Sequence, residues 1–283
     1  MSSLQKTIKY MAIGFAIVLA ITIISGIAST VFSIGSVISG GTNDKSNNET
    51  IDYSDSFKNV KSLEVDNNTG RLIIKTGETF RVEASDVSSS FEAKVTSDGT
   101  LKITDNTNVI NFLWFNINGV NKPNSKITVY LPAETKLEEA DINTGAGTVN
   151  VEDLNAEYLK ISTGAGNISG NNLTADKVKV EGGVGEINLQ NVEFYNADFD
   201  CGVGSLKVDG VMEGKIEVDC GVGEVNLNLK GSVEDYDLDI DSGVGAVRLN
   251  NEKISDEYRT SKDAPNSIRV DGGVGEVRIN IEN

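Results

Sequence analysis

Seven carboxylates recur at close, regular intervals in the C-terminal half of the chain: Asp198 and Asp200, Glu217 and Asp219, then Asp237, Asp239 and Asp241. Oxygen ligands gathered in this way suit a hard cation, Ca²⁺ above all. Asp198, Asp200, Glu217, Asp219, Asp239 and Asp241 are therefore a candidate calcium set. The competing reading is a solvated acidic face whose charges are screened by water and salt. Cys201 and Cys220 each follow one of these acidic groups and stand 19 residues apart. They either form a disulfide between stacked chain segments, given Cα atoms within bonding reach, or remain thiols in a slot that takes small residues. The chain has no His, which removes Ser-His and Cys-His nucleophiles and His-ligated metals. The run Ile110–Ile117 holds Phe112, Trp114 and Phe115, a candidate contact with a membrane or partner protein, or else a packing cap. No catalytic residue and no other cofactor site is read from the sequence.

The elements that must position these groups are set by a repeat. Gly-x-Gly pairs start at Gly145, Gly164, Gly183, Gly202, Gly221, Gly243 and Gly273, at intervals of 19, 19, 19, 19, 22 and 30. Five residues before each pair stand Ala140, Leu159, Val178, Ala197, Ile216, Leu238 and Ile268. Three before stand Ile142, Ile161, Val180, Phe199, Val218, Ile240 and Val270. Apolar and polar residues alternate on both sides of the glycines, which is the period of a strand with one face buried. Nineteen residues leave no room for a helix, and such a unit cannot bury its apolar face alone. The expected fold is all-β, a β-solenoid of stacked coils of about 19 residues, with glycines at the corners and the residue between them pointing inward. Three stacked coils would then carry the acidic groups. Residues 63–74 superpose on 178–189 of the repeat, and Asn68 precedes Gly145 by 77 residues, close to four periods. The solenoid is therefore expected to begin near Phe57, with irregular strands through 80–131. The long interval before Gly273 reads as a surface excursion or a flap over the C-terminal end.

The pattern resembles a bacterial envelope family called "putative adhesin", a domain of undefined role. The residues carrying the resemblance are Val60–Val65, Ile127–Pro132, Ile142–Val149 and the Gly-Val-Gly series. The resemblance implies a right-handed β-solenoid facing outward, sometimes on a membrane anchor, and it supplies no catalytic residues.

Lys6 and Lys9 are the only charges before Asp44, and Met11–Phe32 is apolar and free of Pro. At about 1.5 Å per residue this run spans a hydrocarbon core as a helix. The lysines precede it and acidic residues follow, so residues 1–10 are expected in the cytoplasm and the rest outside. A cleaved signal peptide is the competing reading. The expected layout is a tail at 1–10, a transmembrane helix at 11–33, a polar linker at 34–56 and an extracytoplasmic solenoid at 57–283, regular from 138. With 25 basic against 42 acidic residues the net charge is −17, which repels phosphate backbones and argues against nucleic acid. Three roles remain: a membrane-anchored adhesion, binding or scaffold module touching an envelope protein or cell-wall polymer; the ectodomain of an envelope-stress sensing complex; and, most remotely, a polysaccharide-cleaving enzyme.

Overall fold

Alternating burial converts the repeat into coils. The computed structural model describes residues 50–105 and 125–282; the anticipated span at 11–33 and the run with Phe112, Trp114 and Phe115 lie outside the described residues. Among the described residues no helix is long and apolar enough to cross a membrane.

Strands β1 (Thr50–Phe57), β2 (Ser62–Gly77), β3 (Phe80–Ser88), β4 (Glu92–Val95), β5 (Thr100–Asp105) and β6 (Lys126–Pro132) form the N-terminal part. Three coils then follow without a break in β7 (Lys136–Phe194), and one each in β8 (Ala197–Met212) and β9 (Lys215–Lys230). Neighbouring coils are parallel and in phase: Val180 pairs with Phe199, and Phe199 with Val218. All three are buried, Phe199 completely, and each fully buried side chain of this kind contributes about 1.5–3 kcal/mol.

The corner glycines are fixed by close approach as well as by backbone angle. At Gly204, φ is +150°, and a Cβ there would lie 1.7 Å from the carbonyl oxygen of Gly185 in the coil below. No other residue fits. The residues between the glycines, such as Val184, Val203 and Val222, are half-buried and do not point into the core. The inner side of the corner is already filled by small buried residues, Thr144, Thr163, Cys201 and Cys220 among them, which leaves the middle residue on the rim. A second corner uses Asp153, Asn172 and Asn191 in the left-handed region, at φ of 54°, 59° and 52°. There the Asn172 side-chain amide donates to Asp153 at 2.6 Å and that of Asn191 to Asn171 at 2.9 Å.

At the C-terminal end chain order and stacking order part company. Strands β10 (Tyr236–Asp241) and β11 (Val244–Leu249) make a coil that does not lie on β9. The final strand, β14 (Asn266–Glu282), lies between them, pairing with β9 on one side and with β10 and β11 on the other. The expectation of three successive coils over 198–241 is therefore corrected. Apolar columns match in either order, because the phase is the same. Charge separates the two orders. Direct stacking would set Glu217 against Asp239 and Asp219 against Asp241, and like charges facing across a ladder are destabilising. Insertion places Arg269 between Glu217 and Asp239 in one column, and in the other sets Asp271 between Asp219 and Asp241. Short strands β12 (Glu252–Ile254) and β13 (Glu257–Arg259) pair antiparallel with β11 and β10 and cover the last coil, as the flap reading anticipates.

The N-terminal end is closed differently. Coil β2 lies directly on the first coil of β7, with Leu63 opposite Ala140 and Thr69 opposite Ala146. Among its described residues the 77-residue interval holds one further coil, β5 with β6, on the side of β2 away from β7. Its residues build a cover in which β5 and β6 extend β2 in parallel, and β4, β3 and β1 add antiparallel strands outside. Residues 50–56, expected in the linker, belong to β1. Polar composition hides an alternation: Tyr53 stacks 5.1 Å from Phe91 and donates to the Ala93 carbonyl at 3.4 Å, and Phe57 packs on the core.

Candidate functional site

The outward positions before each glycine corner form two columns running up the stack. Four residues before the glycine, the first column reads Lys179, Asp198, Glu217, Arg269, Asp239 and, from β13, Arg259. Two residues before, the second reads Glu181, Asp200, Asp219, Asp271, Asp241 and Glu257. The first column mixes signs; the second is wholly acidic from Glu181 onward, with Asn143 and Ser162 at the same offset in the earlier coils.

Ion pairs hold most of the first column. Lys179 reaches Glu181 at 3.1 Å, Asp198 at 3.4 Å and Asp200 at 3.7 Å. Its ammonium is pushed well above the usual lysine range, first by the hydrogen bond to Glu181 and then by the charge of Asp198. Lys215 pairs with Glu217 at 2.8 Å, and Arg259 grips Asp239 at 2.7 Å. Asp237 has a structural task. Its carboxylate accepts the backbone N–H groups of Lys262 at 2.6 Å and Ala264 at 3.3 Å, fastening the crossover that carries the chain from β13 to β14. Asp241 accepts the N–H of Gly243 at 2.9 Å.

Asp219 is the group under electrostatic stress. Partial burial raises its pKa above the ordinary carboxylate value; Asp271 and then Asp200 raise it further, while Arg269 works in the opposite direction. A concavity of about 250 Å³ opens among Asp198, Asp200, Glu217, Asp219, Arg269 and Asp271. The proposed calcium set does not assemble there. Asp239 and Asp241 lie beyond β14, and a guanidinium sits where the third coil was expected. Among the described residues no group of three or more Asp, Glu, Cys or His side chains could hold a metal ion. Cys201 and Cys220 are register partners, both buried, and both are thiols.

Beside the acidic column runs a groove of about 670 Å³, extending from Asp66 and Asn143 past Ser162 and Glu181 to Asp200 and Asp219. Its other margin is the glycine corner itself, from Gly145 to Gly221. Carboxylates therefore line one wall only. Glu181, Asp271 and Arg269 are members of this face that reading by acidic clusters misses. Their signal was the offset from the glycine, since Glu181 and Asp271 stand two residues before Gly183 and Gly273, as Asp200 does before Gly202.

Two solved structures are among those similar to this chain. A "putative cell adhesion protein" from Clostridium sporogenes is 16% identical, with a TM-score of 0.42 over 82% of this chain and 100% of that one. A "putative adhesin" from Bacteroides fragilis is 15% identical, also at a TM-score of 0.42, over 85% of this chain and 100% of the other. No protein of curated function matches. The pattern of the Toastrack DUF4097 family matches residues 60–269, most of the chain, including β2, the coils of β7 to β9 and the start of β14. With its stacked coils, glycine corners and closed ends, this chain belongs to the Toastrack DUF4097 family.

Proposed function

We propose that the chain is a membrane-anchored, outward-facing binding or scaffold module of the bacterial cell envelope. The observation that carries this reading is the continuous groove along the stack, about 670 Å³ in volume, held by coils whose interiors are fully packed. A rigid periodic wall suits presentation of a surface to a protein or a wall polymer. The lysine-flanked apolar run at 11–33 would anchor it, and the adhesin names given to similar structures agree with a binding role. Glycoside cleavage needs two carboxyl groups flanking the scissile bond across a cleft. Here the groove carboxylates Glu181, Asp200 and Asp219 form a ladder on a single wall, and Lys179 engages the first two.

The test has two parts. Protease added to intact protoplasts should remove residues 57–283, and a protected domain would overturn the orientation. The full chain displayed on cells should then be retained by isolated envelope or wall material. Recovery instead of one stoichiometric membrane protein, without wall retention, would replace adhesion by the sensing-complex reading.

A further inference from the structure

The column that faces inward just before the glycine corner contains the two cysteines at directly paired positions, Cys201 on β8 and Cys220 on β9. Adjacent strands place such Cα atoms about 4.8 Å apart, inside the span a disulfide bridges. The register neighbours outside the pair are glycines, Gly182 on one side and Gly272 on the other. No other side chain of the column therefore crowds the sulfurs, and each can turn along the stack toward the other. Both are shielded, at 8% and 6% relative exposure. In the folded chain the Cys220 thiol is held far above its ordinary pKa, first by its hydrogen bond with Cys201 and then by burial. A thiol of this kind is a poor nucleophile for exchange.

We infer that Cys201 and Cys220 become a disulfide that staples neighbouring coils when the chain folds in the presence of a disulfide oxidant, and that the completed stack closes this opportunity. Its occurrence in the cell rests on the outward placement proposed above; its chemistry does not. The Cys201 thiol gives up its proton, and the thiolate attacks one sulfur of the oxidant's disulfide, releasing one oxidant thiolate that takes up a proton. The Cys220 thiolate then attacks the Cys201 sulfur of the mixed disulfide and expels the second oxidant thiol. Two electrons and two protons pass from the cysteines to the oxidant. Before the coils stack, both sulfurs are open to this attack. Afterwards an oxidant meets two buried thiols.

The full-length chain in detergent, unfolded with reductant, is refolded with oxidised glutathione, and a parallel sample is refolded reduced and then given the same oxidant. Both are alkylated and cut with trypsin. Cleavage after Lys179, Lys207, Lys215 and Lys230 places the cysteines on separate peptides, 180–207 and 216–230. The first sample should yield the two peptides joined, lighter than their sum by two hydrogen atoms, and should melt at a higher temperature than the reduced chain. The second should yield both cysteines alkylated. Unlinked peptides in the first sample would overturn the staple, and equally fast linkage in the second would overturn the gate. Cys201→Ser and Cys220→Ser variants should melt alike with and without oxidant; a redox-dependent melting temperature in either would assign the effect elsewhere and overturn the proposal.

Discussion

Between residues 136 and 230 each coil lies on the one that precedes it in the chain, whereas between 236 and 282 the later coil lies beneath the earlier one. Both regions carry the same apolar columns and the same glycine corner. They differ in the charges that meet across the ladder. In the first region Lys179 already supplies a cation beside Asp198 and Asp200. In the second, the cation that separates Glu217 from Asp239 is Arg269, and it arrives on the strand that comes last. Burial of apolar columns thus makes a stack in either order, and Arg269 between Glu217 and Asp239 is the charge contact that distinguishes the inserted order in the first column.

Substitution in the regular region should have the largest effect. Val180→Asp places a carboxylate at a fully buried position between apolar coils and should cost several kcal/mol, seen as loss of cooperative unfolding in denaturant. Gly204→Ala should cost about 3 kcal/mol or more, because its Cβ collides with a backbone carbonyl and φ is left-handed. Gly231→Ala, at φ +145° but with no atom closer than 3.8 Å, isolates the backbone cost and should lose about 1 kcal/mol. Equal losses at Gly204 and Gly231 would show that close stacking is not what fixes the glycine.

Arg269→Glu tests the ordering argument itself. It sets three acidic groups in a row at Glu217, residue 269 and Asp239, and should lower stability by about 1–2 kcal/mol, with part of the loss recovered in high salt. No loss would mean that something other than ladder charge keeps β14 in place. The smallest effect is expected at Asp219. Its folded pKa is raised, so the folded state binds a proton more readily than the unfolded state. Relative to Asp219→Asn, the wild type should lose stability as pH rises through the folded pKa and regain it below the ordinary carboxylate value. Melting temperatures of the two chains across acid pH should therefore converge as pH falls; constant separation would remove Asp219 as the stressed group.

The inward columns flanking the glycine corner were legible, since Ala140, Leu159, Ile161 and Phe199 need only the period of a strand and a fixed offset from glycine. Those at the second corner, such as Leu154 and Leu173, were not. Nor was the stacking order. A period fixes phase, and any coil in phase can lie on any other, so the spacing alone does not tell where β14 goes. For the same reason the 77-residue offset from Asn68 to Gly145, close to four periods, does not reveal that β5 and β6 lie on the far side of β2. Strand β1 was concealed by Asp52, Ser54, Asp55 and Ser56, which face outward while Tyr53 and Phe57 pack. The acidic face was visible as composition, but its chemistry depends on which coils touch. That contact turned a candidate cation cage into a row of ion pairs with one strained carboxylate.

The placement of β14 also bears on how the molecule is made. A ribosome or export channel delivers residues 215–259 before 266–282, so the coil of β10 and β11 must wait, without its inner neighbour, while the rest of the chain emerges. During that interval β9 presents a full row of unpaired backbone groups and the apolar residues Ile216, Val218, Val225 and Leu227. A message cut short before codon 266 would leave β9 either with this row open, and prone to joining other chains edge to edge, or covered by the coil of β10 and β11 in the wrong order. The native order of the stack is thus reached only once the last strand has been made.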